Sequence, residues 1–232
     1  RYTCGDYLKR EYQKVWHTIW NIGGVAYQMP EPGDYLTTEL GIDSIIMVRQ
    51  EDGSVKAFFN SCPHRGTRIT EAEDGHVQQF SCPYHGWTFD LAGVVTSVPD
   101  EEDFVESPCG KARLKEMRCE ERFGLIWYNF DPDALTLDAS LGETICRELE
   151  SHRIEDMLRV LDMTAETRSN WKIITDNFNE AYHVKVLHPE LIPYVAADYA
   201  DCQFDCFPHG HNRGWFPSFM PSVQYGSDVI GE

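Results

Sequence analysis

Two short segments bring together residue types with metal chemistry, Cys62-Pro63-His64-Arg65-Gly66 and Cys82-Pro83-Tyr84-His85-Gly86-Trp87. Each offers one thiolate and one imidazole, and 17 residues lie between His64 and Cys82. The proline after each cysteine fixes φ, and the glycine one or two residues beyond each histidine supplies the positive φ of a tight turn. Such loops aim side chains at a shared point. Two Cys and two His suit either a tetrahedral zinc ion or a [2Fe–2S] cluster in which two imidazoles replace two thiolates on one iron. A zinc finger usually pairs Cys with Cys and His with His. Here each loop carries one of each and gives one ligand to each iron, which favours the cluster.

The second constellation runs from Asn170 to His188, ahead of Pro189. The spacing predicts a helix over 171–188, with Asn170 as N-cap and Trp171, Ile174, Phe178 and Ala181 on one stripe. Pro189 closes it, because proline disfavours helical geometry in the residue before it. His183 and His188 near an acid suggest a metal. At about 100° per residue, positions five apart sit about 140° apart on an ideal helix. A π-bulge or an unwound last turn is therefore required to turn both rings to one ion. The alternative is an ordinary helix end carrying two partly exposed histidines.

The elements that must position these residues differ along the chain. Short apolar or alternating runs at 25–29, 35–40, 45–49, 55–59, 77–80, 87–90 and 125–130 are separated by turn residues, including Pro30, Pro32-Gly33-Asp34, Asp74-Gly75 and Ala92-Gly93. This pattern predicts an antiparallel β-sandwich or barrel. Asp52-Gly53 is the clearest hairpin signal and predicts a type I′ turn. Asp131-Pro132-Asp133 reads as a boundary, and 141–161 has helical spacing with Glu148, Glu150, Arg153 and Glu155 on the polar face.

The 232 residues are 42% hydrophobic, 12% aromatic and 25% charged, which excludes a disordered or collagen-like chain. The net charge of −18 repels a polyanion, so nucleic acid is not an expected partner. No apolar run approaches the roughly 20 residues of a membrane span; Ile45-Ile46-Met47-Val48 is among the longest. Eight cysteines are too sparse for an oxidised secreted scaffold, and a reducing cytoplasm is expected.

Taken together, the two constellations resemble those of Rieske non-haem iron oxygenase α (large, terminal oxygenase) subunits, such as the aromatic-ring-hydroxylating dioxygenases. The resemblance extends from Trp16 to about Pro193. Respiratory Rieske proteins carry an extra cysteine in each loop, which is absent here, and His85-Gly86-Trp87 has the oxygenase form. The resemblance implies an α+β chain in which residues 1–24 form an N-terminal helical segment. Residues 25–130 would form an all-β Rieske [2Fe–2S] domain, and 131–232 the start of an α+β helix-grip catalytic domain. It implies that Cys62, His64, Cys82 and His85 bind the cluster. His183 and His188 would be two members of a 2-His-1-carboxylate triad for mononuclear Fe(II).

By the same resemblance Glu180, three residues before His183, is the acid that links this iron to the Rieske histidine of a neighbouring subunit. Asn177 matches a polar position near the iron, Asp176 is a frequent neighbour, and Tyr182 lines the site or packs. Most ring dioxygenases have Asp where Glu180 stands; Glu is more familiar in members acting on quaternary ammonium substrates. The implied activity is O2-dependent hydroxylation of an aromatic or other apolar organic molecule. Its electrons come ultimately from NAD(P)H through a reductase or ferredoxin, and the assembly is a homotrimer (α3) or α3β3. The alternatives are a monooxygenase or demethylase of a quaternary ammonium or aliphatic substrate, and a non-catalytic ferredoxin-like carrier.

The family's third iron ligand is a carboxylate far downstream, and Asp198, Asp201, Asp205 and Asp228 lack its expected context. With Arg1 in place of a methionine, this leads to the expectation of a fragment or trimmed product whose C-terminal part is missing, the alternative being a second site that is a two-histidine remnant. Cys202, Cys206, His209 and His211 have spacing compatible with zinc, whereas the aromatic neighbours Phe204, Phe207, Trp215 and Phe216 point to packing. Phe216, Phe219 and Met220 hint at an apolar pocket wall. Cys4, Cys109, Cys119 and Cys146 read as core or surface thiols.

Overall fold

The run Ile45-Ile46-Met47-Val48 is buried throughout, and its side chains part into two cores: Ile46 and Val48 join one, Ile45 and Met47 the other. Successive side chains of a strand point to opposite faces. An unbroken apolar run therefore marks a strand covered on both sides, and this one lies inside an antiparallel sheet.

The computed structural model describes residues 1–194 and 199–217. Helix α1 (Gly5–Glu11) continues into a π-helical turn at Tyr12–Trp16. The strands β1 (Asn21–Val25), β2 (Asp34–Leu40), β3 (Asp43–Arg49), β4 (Val55–Phe59) and β5 (Asp74–His76) follow. Next come β6 (Phe80–Ser81), β7 (Thr88–Phe89), β8 (Val95–Ser97), β9 (Glu116–Arg122) and β10 (Leu125–Asn129). Seven strands form one sheet in the order β1-β10-β9-β4-β3-β2-β5, and β6-β7-β8 form a second. Phe58, Phe80, Phe89, Val95, Leu114 and Trp87 share a core with Ile46 and Val48, and Cys62 and Cys82 belong to that same cluster. The two cysteine loops are thus rooted in the hydrophobic interior.

The hairpin expected at Asp52-Gly53 is present, but its turn differs. Gly53 has φ +82° whereas Asp52 is not left-handed, and Gln50 N donates to Ser54 O over 2.8 Å. This is a longer loop closed by a left-handed glycine. Asp52 Oδ1 accepts from both Ser54 N (2.9 Å) and Ser54 Oγ (2.6 Å), which holds Asp52 out of the conformation a type I′ turn requires.

Helix α2 (Leu137–His152) starts earlier and stops earlier than the periodicity predicts. Thr136 Oγ1 accepts from Ala139 N at its start. Arg153 is left-handed at its end, where the backbone of Ile154 and Glu155 passes over Gly124 with no room for a Cβ there. Leu137 and Leu141 pack against Trp20, Phe123 and Trp127. That contact makes Asp6–Asp162 one compact unit, with Arg1–Gly5 and Met163–Glu232 the other. In the latter, α3 (Trp171–Phe178), α4 (Val184–Leu187) and a hairpin of β11 (Gln203–Cys206) with β12 (Asn212–Trp215) are the regular elements described. Among the described residues no helix is long and apolar enough to cross a membrane.

Candidate metal centres

The first cysteine loop leaves β4, and the second joins β6 to β7. Both repeat the same backbone bonds. Cys62 N donates to Thr67 O (2.8 Å) and Gly66 N to Cys62 O (2.8 Å); Cys82 N donates to Trp87 O (2.8 Å) and Gly86 N to Cys82 O (3.0 Å). Gly66 (φ +74°) and Gly86 (φ +70°) take the left-handed conformation that lets each loop turn back. The outcome is two thiols inside and two imidazoles nearer the surface. Cys62 and Cys82 are 3% and 2% exposed, and the rings of His64 and His85 lie 4.7 Å apart. The Trp87 indole is stacked on His64 at 4.9 Å, and Tyr84 lies against His85 at 3.8 Å.

The electrostatics follow from this placement. Burial pushes the Cys62 thiol up and the neighbouring Cys82 adds to that, while backbone N–H groups of His64 and Arg65 favour its thiolate. Burial and the nearby His64 and Arg65 hold His85 below the ordinary imidazole value. Among the described residues no three His, Cys, Asp or Glu side chains converge as a single bound ion requires. Two thiols paired beneath two imidazoles instead fit a diiron cluster, in which each iron takes two protein ligands.

Asn60 supports the first loop and carries no metal-ligand signature in the sequence. It is buried; its Nδ2 donates to Ser44 Oγ (3.0 Å) and Thr70 O (2.8 Å), and its Oδ1 accepts from Ile69 N (2.9 Å) and Thr70 N (3.2 Å). One side chain therefore clamps both ends of the loop. The only hint in the sequence is a lone Asn two residues before Cys62. Asn60→Ala is expected to destabilise the fold by about 2–4 kcal/mol by orphaning these groups. Thermal unfolding should show the loss, with faster bleaching of any bound chromophore; an unchanged Tm would remove the clamp from the account.

The remaining cysteines differ sharply. Burial, then Glu121 and Glu120, push Cys119 up to about 12. At pH 8 a thiolate with such a pKa is populated at about 10⁻⁴, so native Cys119 should resist iodoacetamide while exposed Cys206 reacts. Peptide mapping after alkylation checks this, and rapid labelling of Cys119 would contradict it.

The helix expected over 171–188 is broken in two. Asn170 Oδ1 caps α3 by accepting from Lys172 N (3.1 Å). The helix stops at Phe178, and α4 begins after His183. Between them the Glu180 carboxylate accepts from the backbone N–H groups of Tyr182 and His183, the latter at 3.3 Å, bonds that compete with helical ones. His183 and His188 both follow this break and flank α4; His188 leaves helical geometry (φ −127°, ψ 54°) just before Pro189, and the two rings stand 5.5 Å apart. Glu180 also pairs with Nδ1 of His183, and this hydrogen bond holds its carboxyl below the usual carboxylate range. Glu190, not singled out from sequence, stands 3.6 Å from Nδ1 of His188. Each ring thus has a carboxylate on the Nδ1 side, an arrangement that leaves Nε2 for a metal.

Asn177 is exposed near the end of α3, and Asp176 Oδ2 accepts from Tyr2 Oη (3.3 Å). Tyr182 is exposed rather than packed, and of the proposed stripe Ala181 is buried whereas Phe178 is 74% exposed. Asp205 is engaged by Arg213 and Gln203 (2.9 Å each), and Asp201 is exposed. Asp198, Phe219, Met220 and Asp228 lie outside the described residues. Cys202 precedes β11 and Cys206 ends it, with left-handed His209 in the hairpin loop; these residues do not gather at one point. Phe216 packs edge-on against Phe204 at 5.6 Å.

Residues 20–115 match the Rieske [2Fe-2S] domain, and residues 154–224 match the ring hydroxylating alpha subunit catalytic domain. A carnitine monooxygenase oxygenase subunit of Escherichia coli is 31% identical over 226 residues, covering 97% of this chain and 57% of that protein. The benzene 1,2-dioxygenase subunit alpha of Pseudomonas putida is 41% identical over 143 residues, covering 61% of this chain and 32% of that one. Naphthalene 1,2-dioxygenase from Rhodococcus sp., solved with indole bound, has a TM-score of 0.76 at 27% identity, over 94% of this chain and 53% of that one. A Rieske domain followed by a mononuclear-iron domain defines the class. The chain belongs to the Rieske oxygenase α-subunit family. It spans about half the length of the curated relatives it matches.

Proposed function

We propose that this chain is the terminal oxygenase component of a multicomponent Rieske oxygenase. The observation that carries the reading is the matched pair of loops, with identical backbone bonding, that sets Cys62 and Cys82 inside and His64 and His85 toward the surface. In this reading the two thiolates hold one iron of the cluster and the two imidazoles the other. His183 and His188 face a mononuclear Fe(II), with Asn177 nearby. Glu180 holds the proton on Nδ1 of His183, leaving Nε2 as the donor, and serves as the link to a Rieske histidine of the adjoining subunit.

When loaded, these groups supply single electrons and an open ferrous position for O2, the chemistry that hydroxylates an organic substrate. The partner is a reductase or ferredoxin drawing on NAD(P)H, and the assembly a homotrimer (α3) or α3β3 in the cytoplasm. The compact unit of residues 6–162, with its β domain at 25–130, carries the cluster; the boundary read at Asp131 moves to 162–163, because α2 packs on the β domain, and the unit from Met163 onward carries the ferrous-site histidines. The relatives' names include both an aromatic dioxygenase and a quaternary-amine monooxygenase, so benzene-type rings, carnitine and glycine betaine form the substrate screen.

Metal analysis tests the reading. The purified protein should contain three irons per chain, absorb in the visible and give a rhombic EPR signal after dithionite. Two irons per chain would mark an electron carrier, and a colourless, EPR-silent protein would overturn the assignment.

A further inference from the structure

The two imidazoles are held unequally. His64, on the first loop, lies parallel to the Trp87 indole of the second loop, with 5° between their planes. Trp87 is 7% exposed and packs in the core that contains both cysteines, so its plane is set by the interior. Phe104, itself exposed, lies edge-on to its flank at 6.1 Å, and Pro99 stands within van der Waals contact of a Cβ built on Gly86 (3.4 Å). The aromatic neighbour of His85 is Tyr84, which adjoins it in the chain, is tilted by 31° and is 56% exposed. It belongs to the same loop as His85, so it makes no bridge between the two loops; His85 itself is half-buried and His64 exposed.

We infer that Trp87 is a positioning residue of the cluster site: its stack across the two loops fixes the plane of the His64 ring. The inference rests on the reading that these four donors hold a [2Fe–2S] cluster. Ligand orientation and solvent access are two of the levers that set the potential of such a centre. The reduced cluster carries one more negative charge than the oxidised one, so a His64 ring released from its plane changes how well that charge is stabilised and shifts the potential.

The full chain carrying its cluster is the test material, with redox titration followed by EPR and by ¹⁴N hyperfine coupling. Trp87→Phe keeps a stacking plane and should retain the wild-type midpoint and line shape. Trp87→Leu should shift the midpoint and broaden the coupling of one of the two nitrogens. Phe104→Ala, a change at a partly exposed flank, should move both readouts the same way by less. A Trp87→Leu protein with full iron content and wild-type midpoint and coupling would overturn the inference. Should that variant fail to assemble, an unaltered midpoint in Phe104→Ala would overturn it instead. A wild-type protein without visible absorption would sink the cluster reading itself, a different outcome from either.

Discussion

Cys82→Ala protein should be colourless and silent by EPR after dithionite, while keeping its β-sheet. The Cys82 thiol is buried beside Cys62, and no other thiol joins them in the core behind the loops except the partly buried Cys109 at its edge. In the proposed cluster its removal would leave one iron with a single thiolate, and a buried site cannot recruit a replacement ligand without breaking the loop. The loop's backbone bonds from Cys82 N to Trp87 O and from Gly86 N to Cys82 O do not involve the sulfur, so the turn itself survives. Truncation of one small buried side chain costs the apo fold little beside the larger core residues, for which about 2–5 kcal/mol is usual. Far-UV circular dichroism near wild type, with iron reduced to the mononuclear share or less, is the expected result. Wild-type visible absorption would show that Cys82 is not a ligand.

Glu180→Gln should leave both iron sites assembled at saturating Fe(II) but slow substrate-dependent reoxidation of the reduced cluster by about 10–100-fold, the usual cost of altering a residue that supports a metal ligand. The negative charge of Glu180 has two structural uses here. It fixes the tautomer of His183 through Nδ1, and it accepts the backbone N–H groups of Tyr182 and His183 that break the helix. A glutamine oxygen can accept hydrogen bonds, so the break and the pairing of the two histidine rings should persist. The charge behind the ring, and with it the basicity of Nε2, is lost. Single-turnover stopped-flow with pre-reduced protein and substrate separates this from a binding defect. Wild-type rates there would remove Glu180 from the electron path.

The break between α3 and α4 shows where periodicity stops being informative. Trp171, Ile174, Phe178 and Ala181 keep a helical spacing, yet Phe178 is largely exposed while Ala181 is buried. A hydrophobic pattern reports which residues avoid water on average. It does not report that a carboxylate at position 180 will bind the backbone two and three residues on. The incompatibility of His183 and His188 with an ideal helix did indicate that some irregularity must exist, and the last turn unwinds at His188 before Pro189; the second break, at Glu180 ahead of both histidines, was not foreseen. Similarly, 141–161 has the composition of a helix, but the approach of residues 154–155 to Gly124 ends it, a contact between segments far apart in sequence.

Residue identity and spacing alone singled out the candidate donors, the two glycines that turn the loops, the β character of the first half and the need for a distorted helix at the second pair of histidines. These depend on local chemistry: which atoms bind metal, which residues tolerate positive φ, and how side chains alternate along a strand. Tertiary structure alone decided that the thiols lie inside and the imidazoles outside, that Asn60 clamps the first loop, that Trp87 reaches across to His64, and that Glu190 stands behind His188. Each is a contact between groups whose separation depends on how strands pair and loops pack, and burial, which sets the polarity around every ligand, exists only once the chain has folded.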